Sequence, residues 1–266
     1  MSGLPIRRAT VAGHFYPSDP DQLRRTVRGY MAEAQLPQDL GDVRAVIAPH
    51  AGYVYSGPTA GYAFKALAEL PEKSRTVFLM GPAHRVYVAG VALGSYSAFQ
   101  TPLGAVLIAV DRVGDMLDSA NLYTHAREAH ASEHCLEVEV PFLQEALSDF
   151  QLIPMLFGDV DPKRVAADLI DRVGPNDLIV VSSDLSHYHP HEQAQRIDQA
   201  FLDALLAGNE RGVIEGEACG SAPTVALMEI ARQKGWSPRL LDYRTSGDTA
   251  GDKLEVVGYS AVAYTR

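Results

Sequence analysis

Cysteine is scarce in this chain: of 266 residues, only Cys135 and Cys219 carry thiols. Two cysteines so far apart are too few for a disulfide framework, and each is expected as a reduced thiol inside a cell. No uninterrupted apolar run reaches the roughly 18 residues of a membrane span. The first residues also lack the basic-then-apolar pattern of a secretory signal. The expected setting is therefore cytoplasmic, with no membrane partner. Positive charge is short as well, with 23 Lys and Arg against 33 Asp and Glu and a net charge of -10. A nucleic-acid surface needs clustered basic residues, and none cluster here, so nucleic acid is not an expected partner. G-x-S-x-G, P-loop and G-x-G-x-x-G fingerprints are all missing, which leaves serine acyl transfer, NTP hydrolysis and dinucleotide redox chemistry without a warrant. There is no fixed-period repeat and no low-complexity segment.

What the chain does have is apolar substance. Hydrophobic residues make up 47% and charged residues 21%, enough for a large core, and the expectation is one α/β domain over residues 1–266. Short β-rich runs predict strands at 44–48, 76–80, 152–156, 177–181, 239–243 and 256–264. Between them, helical spacing and Asp-Pro starts predict helices after Asp19-Pro20, from Pro58 to Pro71, from Asp111 to about Ala120, over 136–147, after Asp161-Pro162, over 191–207 and from Pro223. Pro141 should kink the fourth of these or mark its true start. Residues 86–110 read as a hairpin or meander at a sheet edge. The predicted architecture is a mixed, largely parallel central sheet flanked by helices.

Three predicted strands run into a histidine. VRAVIAPH ends at His50, the run 76–80 continues into Gly81-Pro82-Ala83-His84, and 177–181 continues into SSDLSH, ending at His187. In an open α/β sheet the crevice beyond the carboxyl ends of the strands is where ligands bind. Neutral imidazoles suit iron, copper and zinc, and a catalytic metal keeps an open position by using about three protein ligands. His50 and His84 are the best ligand pair. Cys219, flanked by Glu217, Gly220 and Ser221 instead of an apolar run, is the candidate third ligand, with a packed thiol as the plainer alternative. Asp184 and His187 form a candidate acid/base pair, or Asp184 merely makes an Asx turn. His14, Phe15, Tyr53 and Tyr55 sit in glycine-rich and aromatic loops and are expected to line a pocket. Glu133-His134 reads as a helix cap, or as a loop bringing His134 over the site as a substrate contact. His189 and His191 read as a solvated turn, and His125 and His130 as surface.

The motifs ATVAGHFYP, APHAGYVYSG, GPAH, EHCLEVEVPFLQ, SSDLSHY and EACG, in that order across nearly the whole chain, resemble the MEMO family. That family is the B component of the AmmeMemoRadiSam system in bacteria and archaea. The resemblance implies a fold similar to class III extradiol ring-cleaving dioxygenases, which are non-heme iron enzymes. It also implies a site at His50, His84, His187 and Cys219 with Asp184 close by. Partners implied in the same way are a radical-SAM protein and a third small protein. Those dioxygenases place a carboxylate where this chain has Cys219, a softer donor that suits copper, zinc or iron with altered redox behaviour. The functional expectation is a metal-dependent, dioxygenase-like redox protein acting on a small molecule. A non-catalytic module binding a peptide or protein, and a zinc-type hydrolase, stand as alternatives.

Overall fold

The computed structural model describes residues 3–119 and 121–266. Its centre is four parallel strands lying side by side in the order Val43–Ala48, Leu178–Ser182, Arg75–Pro82 and Phe150–Phe157. Nearly every residue in them is buried, which is why they read as continuous apolar runs and not as alternating ones. Antiparallel strands extend this centre. Val256–Thr265 pairs with Val43–Ala48 and carries both Ser237–Thr245 and His187–His189, while Val91–Leu93 pairs with Phe150–Phe157 on the other side. Helices pack on this sheet, Tyr53–Ala68 and Cys135–Ala146 among them, and Ser221–Lys234 lies against Arg75–Pro82 and Leu178–Ser182. The predicted mixed α/β architecture is the one observed.

Several local expectations need correction. The region 86–110 is not one meander: Val91–Leu93 joins the main sheet, whereas the hairpin Ala98–Thr101 and Gly104–Leu107 forms a separate sheet with Ile6–Arg7. Its partner strand lies some ninety residues away in sequence, so local pattern could not assign it. The helix predicted from Pro58 begins at Tyr53, with Pro58 inside it. Its first turn is satisfied from a distance, because the Tyr53 NH donates to the Phe15 carbonyl at 2.8 Å. Gly61 is required in that helix, since a Cβ there would lie 2.5 Å from the Tyr30 carbonyl oxygen of helix Pro20–Glu33. Pro141 likewise sits inside its helix, which starts at Cys135. The helix predicted from Asp111 spans Val110–Ser119, and Ala120 lies outside the described residues. Both thiols are free. Among the described residues, no helix is long and apolar enough to cross a membrane.

His130, expected at the surface, is buried at 1% exposure. Its Nε2 lies 3.0 Å from the Ala92 carbonyl, and Arg7 Nε donates to its own carbonyl at 2.9 Å. Burial, with a smaller push from the Arg7 guanidinium, lowers the imidazole from its ordinary value to about 4, against the Ala92 hydrogen bond and Glu133, which raise it. The unfolded chain therefore binds a proton near pH 6.5 that the folded chain refuses until about pH 4, and stability is lost as pH falls through that window. The full shift corresponds to about 3 kcal/mol. Urea unfolding at pH 7.5 and pH 5 should show wild type losing more stability on acidification than His130→Gln. Equal losses would contradict this account.

Candidate metal centre

Three neighbouring strands end together. Ala48 is in register with Ser182, and Met80 with Val181, so the loops just beyond release His50, Asp184 and His84 at one edge of the parallel sheet. The rings of His50 and His84 lie 5.3 Å apart between centroids, and His134 stands 5.4 Å from the first and 5.1 Å from the second. One nitrogen from each of these three histidines lies within 4.8 Å of the others.

Each strand-end histidine is held from behind. Ser182 Oγ is 2.7 Å from His50 Nδ1, 2.8 Å from the Cys135 carbonyl and 2.9 Å from Glu139 Oε1. The hydroxyl has one hydrogen, and the carbonyl can only accept it. Glu139 Oε1 is the other acceptor open to that hydrogen, and burial raises the Glu139 carboxyl well above its ordinary value. That leaves Ser182 to accept from His50 Nδ1–H, which frees Nε2 of His50 as a lone-pair donor. Burial also holds His50 well below its ordinary value, with the neighbouring histidines adding to the effect. His84 Nδ1 lies 3.0 Å from Glu133 Oε1, and the His84 backbone NH donates to Glu133 Oε2 at 2.8 Å. Burial pushes the Glu133 carboxyl up, but the imidazoles of His134 and His84 outweigh it and hold the group well below the usual carboxylate range.

Cys219 meets His50 on another side, with Sγ 3.5 Å from Nε2. A nitrogen and a sulfur bound to one tetrahedral metal stand roughly 3.5 Å apart, so the spacing fits a shared ion. The Asp184 backbone NH donates to this sulfur at 3.3 Å. Burial and the neighbouring Asp184 push the thiol up to about 12, so without a cation it stays protonated. Three imidazoles and a thiol make a borderline-to-soft donor set that fits a transition metal. Asp184 Oδ1 accepts the His50 backbone NH at 2.8 Å, and burial raises its carboxyl to about 7. No hydrogen bond joins Asp184 to His187 among the described residues. Burial lowers His187 below its ordinary value, which leaves it neutral and able to accept a proton.

A cavity of about 1220 Å³ opens over these groups, with His50, His84, His134, Asp184, His187, Phe15 and Tyr55 in its wall. Two residues expected to line it do not. Tyr53 is 3% exposed and turns into the core, where its hydroxyl donates to the Val138 carbonyl at 2.7 Å and its ring packs on Phe142. His14 is exposed and lies outside the cavity wall. The helical start at Tyr53 explains its burial, because successive helical residues face different ways and of the two tyrosines it is Tyr55 that points outward. His189 is paired with Glu217 at 2.6 Å, and His191 is bound to Thr245 at 2.9 Å, so neither is merely a solvated turn.

Sequence reasoning missed Glu133, Ser182 and Glu139 as supports, and the wall formed by Tyr188, Leu254 and their neighbours. Tyr188 is a non-glycine residue at φ 61°, a left-handed conformation costing on the order of 1–3 kcal/mol and typical of sites held by their surroundings. A signal for Glu139 existed: in LEVEVPF, Glu137 and Glu139 interrupt an apolar helix with no basic residue between them, and both are buried.

A family model described as Memo-like protein matches residues 7–263. A MEMO1 family protein of Methanopyrus kandleri is 35% identical over 283 aligned residues, covering 98% of this chain and 99% of the relative. Another from Archaeoglobus fulgidus is 36% identical, covering 97% and 99% respectively. Among solved structures, an uncharacterized protein of Escherichia coli K12 superposes with a TM-score of 0.51 at 12% identity, covering 83% of this chain and 99% of that one. At that identity the likeness is one of fold alone.

Proposed function

The chain belongs to the Memo-like family, and from that premise we propose that it is a metal-dependent, dioxygenase-like redox protein acting on a small substrate. The observation that carries this reading is the backing of His50 Nδ1 by Ser182 and of His84 Nδ1 by Glu133, the arrangement that metal-ligating histidines use. His50 and His84 would hold the metal, with Cys219 as a further donor in its thiolate form. A bound iron or copper supplies Lewis acidity and one-electron redox chemistry. His187, neutral and in the cavity wall, takes a proton from the substrate. Asp184 holds the His50 loop in place through the backbone NH, and Phe15 and Tyr55 shield the site from water. A second reading, a module that binds a peptide or a partner's side chain, is favoured by the mouth of the cavity, where Tyr188 and Leu254 are 72% and 76% exposed.

The test is anaerobic reconstitution of metal-free protein with Fe(II), Cu(I) or Zn(II), followed by oxygen uptake with ascorbate as electron donor. Iron- or copper-loaded protein should consume oxygen and zinc-loaded protein should not. A trace indifferent to the metal would overturn the redox reading and leave the binding module.

A further inference from the structure

We propose that His134 is itself a ligand of the metal, so that His50, His84 and His134 present a three-nitrogen face beside the Cys219 sulfur. The assignment rests on the reading of this site as a metal centre and adds a donor to it. Its first support is placement. His134 is the residue immediately before helix Cys135–Ala146, and its ring is confined between Phe15, at 4.9 Å between centroids and tilted by 52°, and His84, at 5.1 Å and nearly parallel. The edge of His50 closes a third side at 5.4 Å. A side chain boxed in this way has already lost most of its rotamer freedom, so binding an ion costs it little more. Its donor nitrogen falls within 4.8 Å of those of His50 and His84, whereas no such grouping among the described residues joins Cys219 to His84.

The second support is how the ring's hydrogen-bonding capacity is used. Glu133 Oε1 lies 3.0 Å from His84 Nδ1 and 3.1 Å from His134 Nδ1, so one buried carboxylate stands behind two imidazoles. A carboxylate behind Nδ1 orients a histidine to offer Nε2 to a metal, and here the arrangement occurs twice on one oxygen. Against His134 the approach is off the hydrogen-bonding direction, and the buried Nδ1 is left without a partner. A buried polar nitrogen with no partner is uncommon in a folded protein and marks a ring whose position is set by something other than its hydrogen bonds. A small turn of the ring about its Cβ–Cγ bond would bring Nδ1 into line with Glu133 while Nε2 meets the ion.

Anaerobic titration of metal-free protein with Co(II), followed by visible absorption, tests the assignment. His134→Ala should bind cobalt about 10- to 100-fold more weakly than wild type with altered visible bands, and millimolar imidazole should restore both. Thermal unfolding of the metal-free variant close to that of wild type would show that the fold survives the change. Wild-type affinity and spectrum in His134→Ala would overturn this assignment alone. A loss that imidazole does not repair would trace the effect to packing against Phe15 and also overturn it. Wild-type protein that takes up no cobalt would overturn the metal-centre reading together with it.

Discussion

Replacing Glu137 with alanine is expected to lower the unfolding free energy by about 3–5 kcal/mol, a large share of the roughly 5–15 kcal/mol that holds a typical domain together. The carboxylate is 1% exposed and faces Arg7, itself 3% exposed, at 2.5 Å. It also accepts the backbone NH groups of Thr10 at 2.9 Å and Val11 at 3.0 Å, and the Tyr16 hydroxyl at 2.7 Å. Burial pushes the Glu137 carboxyl up, but Arg7 and these donors outweigh it and hold the group below the usual carboxylate range. Alanine would leave a buried guanidinium without its ion pair and remove the acceptor of two backbone NH groups and of the Thr10 and Tyr16 hydroxyls, the costliest way to break such a network. The loop so released carries Phe15, whose carbonyl holds the first turn of helix Tyr53–Ala68 and whose ring packs on His134. The damage should therefore reach the cavity. Urea unfolding at pH 7 checks this through a lowered midpoint at unchanged slope. Glu137→Gln, which keeps an acceptor and loses the charge, should fall between. A loss below about 1 kcal/mol in Glu137→Ala would place the network among interactions of little net worth, as exposed ion pairs are.

The legible parts of this molecule were those written in local pattern. The four central strands announce themselves because burial on both faces demands unbroken apolar runs, and His50, His84 and Asp184 were visible because each follows such a run by two or three residues. Long-range pairing was not legible. Nothing near Tyr53 tells that Phe15 will cap its helix, so Tyr53 was placed in the pocket when it belongs to the core. Nothing near His130 tells that the Ala92 carbonyl will accept its ring NH. Glu133-His134 is legible as the start of a helix or as a loop bringing His134 over the site; in the fold His134 stands in the cavity wall, and Glu133 Oε1 accepts the backbone NH of His134 at 2.9 Å. That the same carboxylate also reaches across to His84, 49 positions away, depends on the fold bringing the end of a central strand against the start of a helix.

The largest effect expected on metal binding comes from removing a central histidine. Loss of a hydrogen-bonding partner behind a ligand typically costs 10- to 100-fold in affinity, and loss of the ligand itself should exceed the upper figure, or about 2.8 kcal/mol. His50 is the most exposed to this test because its nitrogen lies with those of His84 and His134 and its Nε2 is also the atom facing the Cys219 sulfur. Its removal also leaves Ser182 without the donor that its hydroxyl accepts from. The most direct measurement is the metal content of protein purified without tags or chelators, for wild type, His50→Ala and His84→Ala, each first shown to be folded. The account predicts about one metal ion per chain in wild type and a small fraction of that in both variants. Metal content unchanged in both would contradict it.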